Sequence, residues 1–242
     1  MYKGNSLVII PSYNESENII EIINDITKQK ESFNVLIVDD NSPDKTYELV
    51  EEEIIKKPKR VFLIRRKKKL GLGTAYIEGF KWAIDNGYER IFEMDADYSH
   101  DPKDLSRMNV FLDNDGFDVV IGSRYISGVN VVNWPIQRVL LSYFASIYAR
   151  LITGVPLTDL TSGFVGYKVS VLKSVLNENV RFNGYAFQIE MKFKAYSKGF
   201  KIIEIPIIFT DRTKGESKMS LSIVWEAVFG LLLLKIKQLF KF

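Results

Sequence analysis

The sequence predicts an α/β fold with a mostly parallel central sheet. Three observations lead there: short apolar runs alternate with amphipathic stretches four times over, the runs are nearly continuous in Val, Ile, Leu and Phe, and polar clusters follow them at the same relative place. Strands that are apolar throughout are buried on both faces, which requires helices on both sides of the sheet.

Taken in order, "SLVIIPSY" (6–13) is the first strand, and "NESENIIEIINDITKQ" carries apolar residues at helical spacing with Asn14 expected as N-cap. "NVLIVDD" (34–40), "RVFLI" (60–64), "RIFEMDAD" (90–97) and "FDVVIGSR" (117–124) follow as strands, separated by helical stretches near 44–56, 73–86 and 102–114. After about residue 130 the rhythm changes to a helix around 135–152, the stretch "DLTSGFVGYK" (159–168), a helix near 186–198 and the strand "KIIEIPIIFTD" (201–211). No internal repeat, low-complexity tract or Pro/Gly-rich linker interrupts the chain, so one domain over 1–220 with a helical tail over 221–242 is expected.

The tail, "SIVWEAVFGLLLLKIKQLFKF" (222–242), has Glu226 inside it and lysines at 235, 237 and 241. Its uncharged run falls far short of the roughly 20 residues of a spanning helix. An amphipathic helix with Trp225, Phe229, Leu232, Leu233, Ile236 and Phe240 on one side suits an anionic membrane surface; a core or dimer helix suits the same pattern.

Composition sets limits. The 242 residues, 46% of them hydrophobic, supply a substantial core. The absence of cysteine excludes disulfides and thiolate chemistry, and a formal charge of +3 gives only a faint preference for anionic partners. "MYKGNSLVIIPSYNE" reads straight into a strand without a signal-peptide core, so a cytoplasmic location is expected.

In a parallel sheet, ligands bind outside the carboxyl ends of the strands. Ser12-Tyr13-Asn14-Glu15, Asp39-Asp40, Asp95-Asp97 and Ser123-Arg124 all fall at those ends. Asp95 and Asp97 repel each other unless solvated or neutralised, and as hard oxygen donors they suit Mg²⁺ or Mn²⁺ shared with a substrate's phosphates. Asp39 and Asp40 suit hydrogen bonds from a base or ribose, alongside capping of the next helix by Asn41 or Ser42. "RRKKKLGLGTAY" (65–76) offers an anion site at a helix start or a solvated basic loop, and its glycines match neither a Walker motif nor a dinucleotide fingerprint. His100, the only histidine, permits no zinc cluster and is expected to be a local hydrogen-bonding residue. "TDRTKGESKMS" (210–220) reads as a lid over an anionic ligand, with Arg212, Lys214 and Lys218, or as a plain connector.

The motifs "IIPSYNESENI", "VDDNSPDKT", "GLGTAYIEGF", "MDADYSHDP", "IGSRY", "DLTSGFVGYK", "GYAFQIEM" and "DRTKGESKMS" occur in this order over nearly the whole chain. In them the sequence resembles the family 2 glycosyltransferases, most closely the dolichol-phosphate (polyprenol-phosphate) mannose synthases. The resemblance implies a GT-A, Rossmann-like fold, a GDP-mannose donor, a Mg²⁺ or Mn²⁺ ion and a polyprenyl (dolichyl-type) phosphate acceptor at the cytoplasmic membrane face. By the same resemblance Pro11, Tyr13, Glu15 and Asp39 surround the nucleotide, and Gln188 and Glu190 form the sugar-side wall. Asp95 and Asp97 hold metal and donor, and Ser99 stands where some relatives carry a glutamine metal ligand. Arg124, Arg138, Ser142, Arg212 and Lys218 lie around the phosphates, so that Asp95, Asp97, Arg124, Arg212 and Lys218 carry the catalysis. Some relatives have transmembrane helices after the catalytic domain and others borrow attachment from small membrane subunits; this chain is expected to be of the second sort, as a peripheral protein or homodimer.

Two other functions compete on the residues alone. One is polyprenyl-phosphate glucosyl or N-acetylhexosaminyl transfer, since few wall residues distinguish donor sugars. The other is a catalytically silent nucleotide-sugar-binding scaffold, which has no need of the acidic pair, Arg124 and "DRTKGESK" together. A nucleic-acid binder is disfavoured by the near-neutral charge and by the lack of aromatics interleaved with the basic run.

Overall fold

A computed structural model of the chain describes residues 6–113, 116–182, 184–211, 230–232 and 235. Four βα steps open it: β1 (Ser6–Ser12) and α1 (Ile19–Thr27), β2 (Asn34–Asp39) and α2 (Thr46–Lys56), β3 (Val61–Arg65) and α3 (Leu72–Asp85), β4 (Arg90–Glu93) and α4 (Asp104–Asp113). Then come β5 (Val119–Ser123), β6 (Val131–Val132), α5 (Ile136–Thr153), β7 (Val165–Lys168), α6 (Val169–Leu176), α7 (Tyr185–Ser197), β8 (Ile202–Pro206) and β9 (Phe209–Thr210). Each opening helix buries a stripe dictated by its spacing; in α1 it is Ile19, Ile22, Ile23 and Ile26.

Seven strands form one sheet in the order β3-β2-β1-β4-β7-β5-β8, and β6 pairs with β9 in a small second sheet. β7 alone runs antiparallel, between β4 and β5. Successive side chains of the buried strands face opposite layers. Leu7 and Ile9 join the core with Tyr76, Phe80, Phe187 and Tyr167, whereas Val8 and Ile10 join the one with Ile22, Phe33, Leu105 and Met108. Because the chain adds β2 and β3 on one side of β1 and β4 on the other, the sheet has its topological switch point between β1 and β4. A crevice outside the carboxyl ends of those two strands is where such a sheet receives ligands.

The structure revises several expectations. The first helix starts at Ile19, and Asn14 is no N-cap: it adopts a left-handed conformation (φ 57°), which asparagine tolerates, ahead of a turn in which the Glu15 carbonyl accepts from the amides of Asn18 and Ile19. β4 ends at Glu93 rather than 97, leaving both acids on the following turn. The final strand breaks at Ile207 and Ile208 into β8 and β9, and α6, a helix the sequence reading did not assign, follows β7 directly. In the tail, Gly230 lies against the Phe182 ring, Leu231 is buried in the domain core, and the Lys235 ammonium donates to the Thr153 carbonyl at the end of α5 (3.3 Å). Of the six apolar residues expected on one tail face, Leu232 is described and exposed; Trp225, Phe229, Leu233, Ile236 and Phe240 lie outside the described residues.

Gly166 explains how β7 fits between two strands. A Cβ there would lie 2.7 Å from Phe92 and 2.9 Å from Val120. Gly166→Ala is expected to cost about 1–3 kcal/mol by overpacking, read as a lower urea midpoint with an unchanged slope; an unchanged midpoint would mean that the strands separate freely there.

Candidate functional site

The two loops at the ends of β1 and β2 are joined by hydrogen bonds. Asn14 N–H donates to Ser42 Oγ (3.1 Å), Glu15 N–H to Thr46 Oγ1 (3.0 Å) and Ser16 N–H to Asp44 Oδ2 (3.0 Å). Asp39 is fully buried beneath them: Oδ2 accepts from the Ser12 hydroxyl (2.8 Å) and the Ser42 hydroxyl (2.5 Å), and Oδ1 accepts from Ser42 N–H (2.9 Å). The capping of the next helix expected of Asn41 or Ser42 is not found: α2 begins at Thr46 after Lys45 with no side-chain cap, and Ser42 instead donates to Asp39. Pro11 and Tyr13 are half-buried at the end of β1, with the Lys69 ammonium 4.3 Å from the Tyr13 ring centre. Within the basic run, Arg66 is buried and committed to Asp40, Thr74 and the Gly71 carbonyl, while Arg65 lies over the Tyr47 ring. Arg66 is an internal tie; Arg65, Lys67, Lys68 and Lys69 are the exposed members.

The acidic turn follows β4. Asp95 is half-buried and Asp97 is 8% exposed. Ser99 donates both its backbone N–H (3.1 Å) and its hydroxyl to Asp97 Oδ1, so it aims that carboxylate. Tyr98, between them, takes the left-handed conformation (φ 59°) and anchors its hydroxyl on Asp25 (2.9 Å). His100 closes the turn as a local hydrogen-bonding residue, accepting Asp95 N–H at Nδ1 (3.4 Å) and stacking on Phe164 with centroids 4.8 Å apart. Burial draws its pKa down to about 4; Asp97 opposes the shift and the charge of Arg124 adds to it, so the ring is neutral at physiological pH.

Across the turn stands Arg124, buried at the end of β5. Its Nε donates to Asp159 Oδ2 (2.7 Å), and one terminal nitrogen donates to Asp159 Oδ1 (2.6 Å) and Thr161 Oγ1 (2.7 Å). Burial alone would raise the Asp159 pKa, but the Arg124 guanidinium and its hydrogen bonds hold it below the ordinary carboxylate value. Arg138 shares the Trp134 ring with Arg124, their guanidinium carbons 4.1 and 5.6 Å from its centre, and pairs with Asp211 (2.7 Å). Ser142 is half-buried on α5, beside Tyr125. β9 ties this wall to the acidic turn, since Thr210 N–H donates to the Ser99 carbonyl (3.2 Å). Arg212, Lys214 and Lys218, on the segment that continues from β9, lie outside the described residues.

Gln188 and Glu190 leave α7 in different directions. Gln188 is buried and donates to Glu93 Oε2 (2.7 Å), directly beneath the acidic turn. Glu190 is buried too, accepting from the amides of Arg181 (2.9 Å) and Phe182 (3.1 Å) and pairing with Lys194 (2.9 Å); it orders the 181–182 loop, which packs on Gly73 at the start of α3.

The sequence reading passed over Asp159, Glu93 and Lys192. Asp159 sits inside a quoted motif, and Glu93 is a charged residue within an apolar strand; that charge is the available signal. The charges on this network are opposed by burial, which pushes Glu93 up and Lys192 down, each to about 8.

Asp95 and Asp97 form an all-oxygen donor pair on one turn at the switch point, beside arginines. Among the described residues no group of three or more His, Cys, Asp or Glu is placed to hold a metal. Two carboxylates fit a hard divalent cation whose remaining positions are filled by phosphate oxygens and water. The arrangement suits binding of a phosphorylated ligand and stabilisation of a departing anion.

The family described as Glycosyl transferase family 2 matches residues 7–176. Among curated relatives, the polyprenol monophosphomannose synthase of Mycolicibacterium smegmatis is 44% identical over 93% of this chain and 84% of its own length. The undecaprenyl-phosphate mannosyltransferase of Micrococcus luteus is 40% identical over 92% of this chain and 90% of its own. The dolichol-phosphate mannosyltransferase of Pyrococcus furiosus is 37% identical over 90% of this chain and 60% of its own. A solved structure of the mannosyltransferase PcManGT from Pyrobaculum calidifontis with GDP-Man and Mn²⁺ superposes with a TM-score of 0.59 at 16% identity, over 90% of this chain and 59% of that one. Glucosyl-3-phosphoglycerate synthase from Mycobacterium tuberculosis with Mn²⁺ and UDP-glucose gives 0.66 at 17%, over 95% and 78%. At these identities the two structures speak for the GT-A fold, and both hold Mn²⁺.

Proposed function

The chain belongs to glycosyl transferase family 2, and on that premise we propose that it transfers mannose from GDP-mannose to a polyprenyl phosphate, with inversion, at the cytoplasmic face of a membrane. The observation that carries this reading is the acidic turn of Asp95 and Asp97 at the switch point, tied through β9 to the wall that holds Arg124 and Arg138, in a chain 37–44% identical to three mannosyl transferases of polyprenyl lipids.

A phosphomonoester has its second pKa near 6, so the acceptor's oxygen is largely ionised at neutral pH and attacks the anomeric carbon without a side chain removing its proton. The protein's part is alignment and charge. Asp95 and Asp97 would hold Mg²⁺ or Mn²⁺, which when bound offsets the charge of the departing diphosphate. Ser99 keeps Asp97 aimed, Tyr13, Glu15 and the Asp39-tied loops border the nucleotide, and Gln188 braces the strand beneath. Arg138 and Ser142, with Arg212 and Lys218, receive the acceptor phosphate; Arg124 contributes a buried positive charge fixed by Asp159.

Among the described residues no helix is long and apolar enough to cross a membrane. Peripheral attachment is supported by α5, which exposes Ile136, Leu140, Tyr143, Phe144 and Leu151 on one face. Phe144→Glu with Leu151→Glu is expected to weaken co-sedimentation with anionic vesicles by roughly 100-fold or more, from about 1.5–3 kcal/mol for each of the two inserted side chains. Unchanged partition would take α5 out of the membrane contact.

The test of the reaction is incubation of the purified chain with radiolabelled GDP-mannose, a polyprenyl phosphate and Mn²⁺. Label is expected in the organic phase, with UDP-glucose and UDP-N-acetylglucosamine as poor substitutes. Preference for either of those donors would reassign the sugar, and no transfer from any donor would leave a binding protein.

A further inference from the structure

We propose that Lys192 is a positioning residue that fixes the acidic turn and the Arg124 wall relative to each other; the inference rests on the reading that Asp95 and Asp97 hold the donor's cation. Lys192 lies on α7 and is fully buried. Its ammonium has three donors, and each finds an acceptor: the Ser162 carbonyl (2.7 Å), the Gln188 carbonyl (3.2 Å) and Gln188 Oε1 (3.2 Å).

Two chains of contact start from this one nitrogen. One runs through the Gln188 amide to Glu93 Oε2 (2.7 Å), the last residue of β4 and two residues before Asp95. Glu93 Oε1 has no hydrogen-bond partner among the described residues, so Gln188 supplies the hydrogen bond that sets this carboxylate's direction. The other chain enters the 159–162 loop: Ser162 donates its hydroxyl to the Gly122 carbonyl on β5 (2.6 Å), and Asp159 in the same loop grips Arg124. The carboxylates of Glu93, Asp159 and Glu204 all favour the charged form of Lys192. Its hydrogen bonds tie β4 to the loop beside β5 at the edge where donor and acceptor meet.

Supporting residues of this kind cost about 10- to 100-fold in metal affinity or activity when lost. Breaking a buried charge pair also destabilises, whereas replacing both partners by neutral groups is close to neutral. Lys192→Met and the double variant Glu93→Gln/Lys192→Met separate the two effects. For each, the melting temperature, the Mn²⁺ concentration for half-maximal GDP binding and kcat are measured beside the wild type. Lys192→Met is expected to melt earlier, need about 10-fold more Mn²⁺ and lose about 100-fold in kcat. The double variant is expected to regain the melting temperature while the Mn²⁺ requirement stays raised and kcat stays at least about 10-fold low. Recovery of all three together would overturn the proposal and leave Lys192 a charge balance only, as would a folded Lys192→Met with wild-type Mn²⁺ requirement and kcat. A wild-type chain that binds GDP without regard to Mn²⁺ would count against the cation reading, whereas unaltered variants of a Mn²⁺-dependent wild type count against Lys192.

Discussion

Asp95→Ala and Asp97→Ala are each expected to lower mannosyl transfer by about three orders of magnitude or more in a chain that stays folded. A cation at a departing diphosphate stabilises its charge by several kcal/mol, and each 1.36 kcal/mol is tenfold in rate. Asp95 is half-buried on a turn, and Asp97 accepts from the backbone N–H and the hydroxyl of Ser99, its near neighbour. Loss of such a local bond costs only about 1 kcal/mol. The measurement pairs turnover with a melting curve and with GDP binding at graded Mn²⁺. Activity near normal in either variant would remove that carboxylate from the metal site. Asp39→Ala is a different kind of loss, because its carboxylate is the buried tie between the ends of β1 and β2.

Arg124→Met has the largest expected effect on stability. It leaves the Asp159 carboxylate, which is completely buried, without the guanidinium that holds it on two oxygens. Breaking a buried pair in this way costs about 3–5 kcal/mol, and Arg124→Met/Asp159→Leu is expected to return most of it. The pH dependence follows from the direction of the Asp159 shift. In the wild type its pKa lies below the ordinary 3.8, so the pair's contribution is complete above that value and is lost as pH falls through the folded-state pKa. In the variant burial dominates and the pKa lies above the ordinary value, so protonation stabilises the folded state. The gap in urea midpoint between wild type and Arg124→Met therefore narrows as pH falls toward about 4. A gap constant over that range would mean that Asp159 does not depend on Arg124 for its charge.

The parts of the fold legible in the sequence are those whose cause is local. The four βα steps are marked by unbroken apolar strands, and the ligand edge by polar residues that follow each one; Asp95 and Asp97 lie on the turn at that edge. β7 was not legible as an antiparallel insertion, because its place depends on Gly166 fitting between Phe92 and Val120, both far away in sequence. The division of the last strand was hidden in an unbroken apolar run, and it is β9 that reaches the acidic turn through Thr210. Buried charge was harder still. Arg124 meets Asp159 at a separation of 35 residues and Gln188 meets Glu93 at 95. Nothing local distinguishes Gln188, which braces the site, from Glu190, which turns to the 181–182 loop two positions on. The family resemblance supplied candidate site residues that spacing alone could not, and the structure adds which of them are themselves held by buried partners.

The most direct measurement is a crystal structure of the chain with GDP-mannose and Mn²⁺. The ion is expected on carboxylate oxygens of Asp95 and Asp97, at about 2.0–2.3 Å, with the donor's diphosphate completing its coordination and the mannose facing the wall of Arg124 and Arg138. A diphosphate and cation bound elsewhere, with both carboxylates turned away from them, would contradict the assignment.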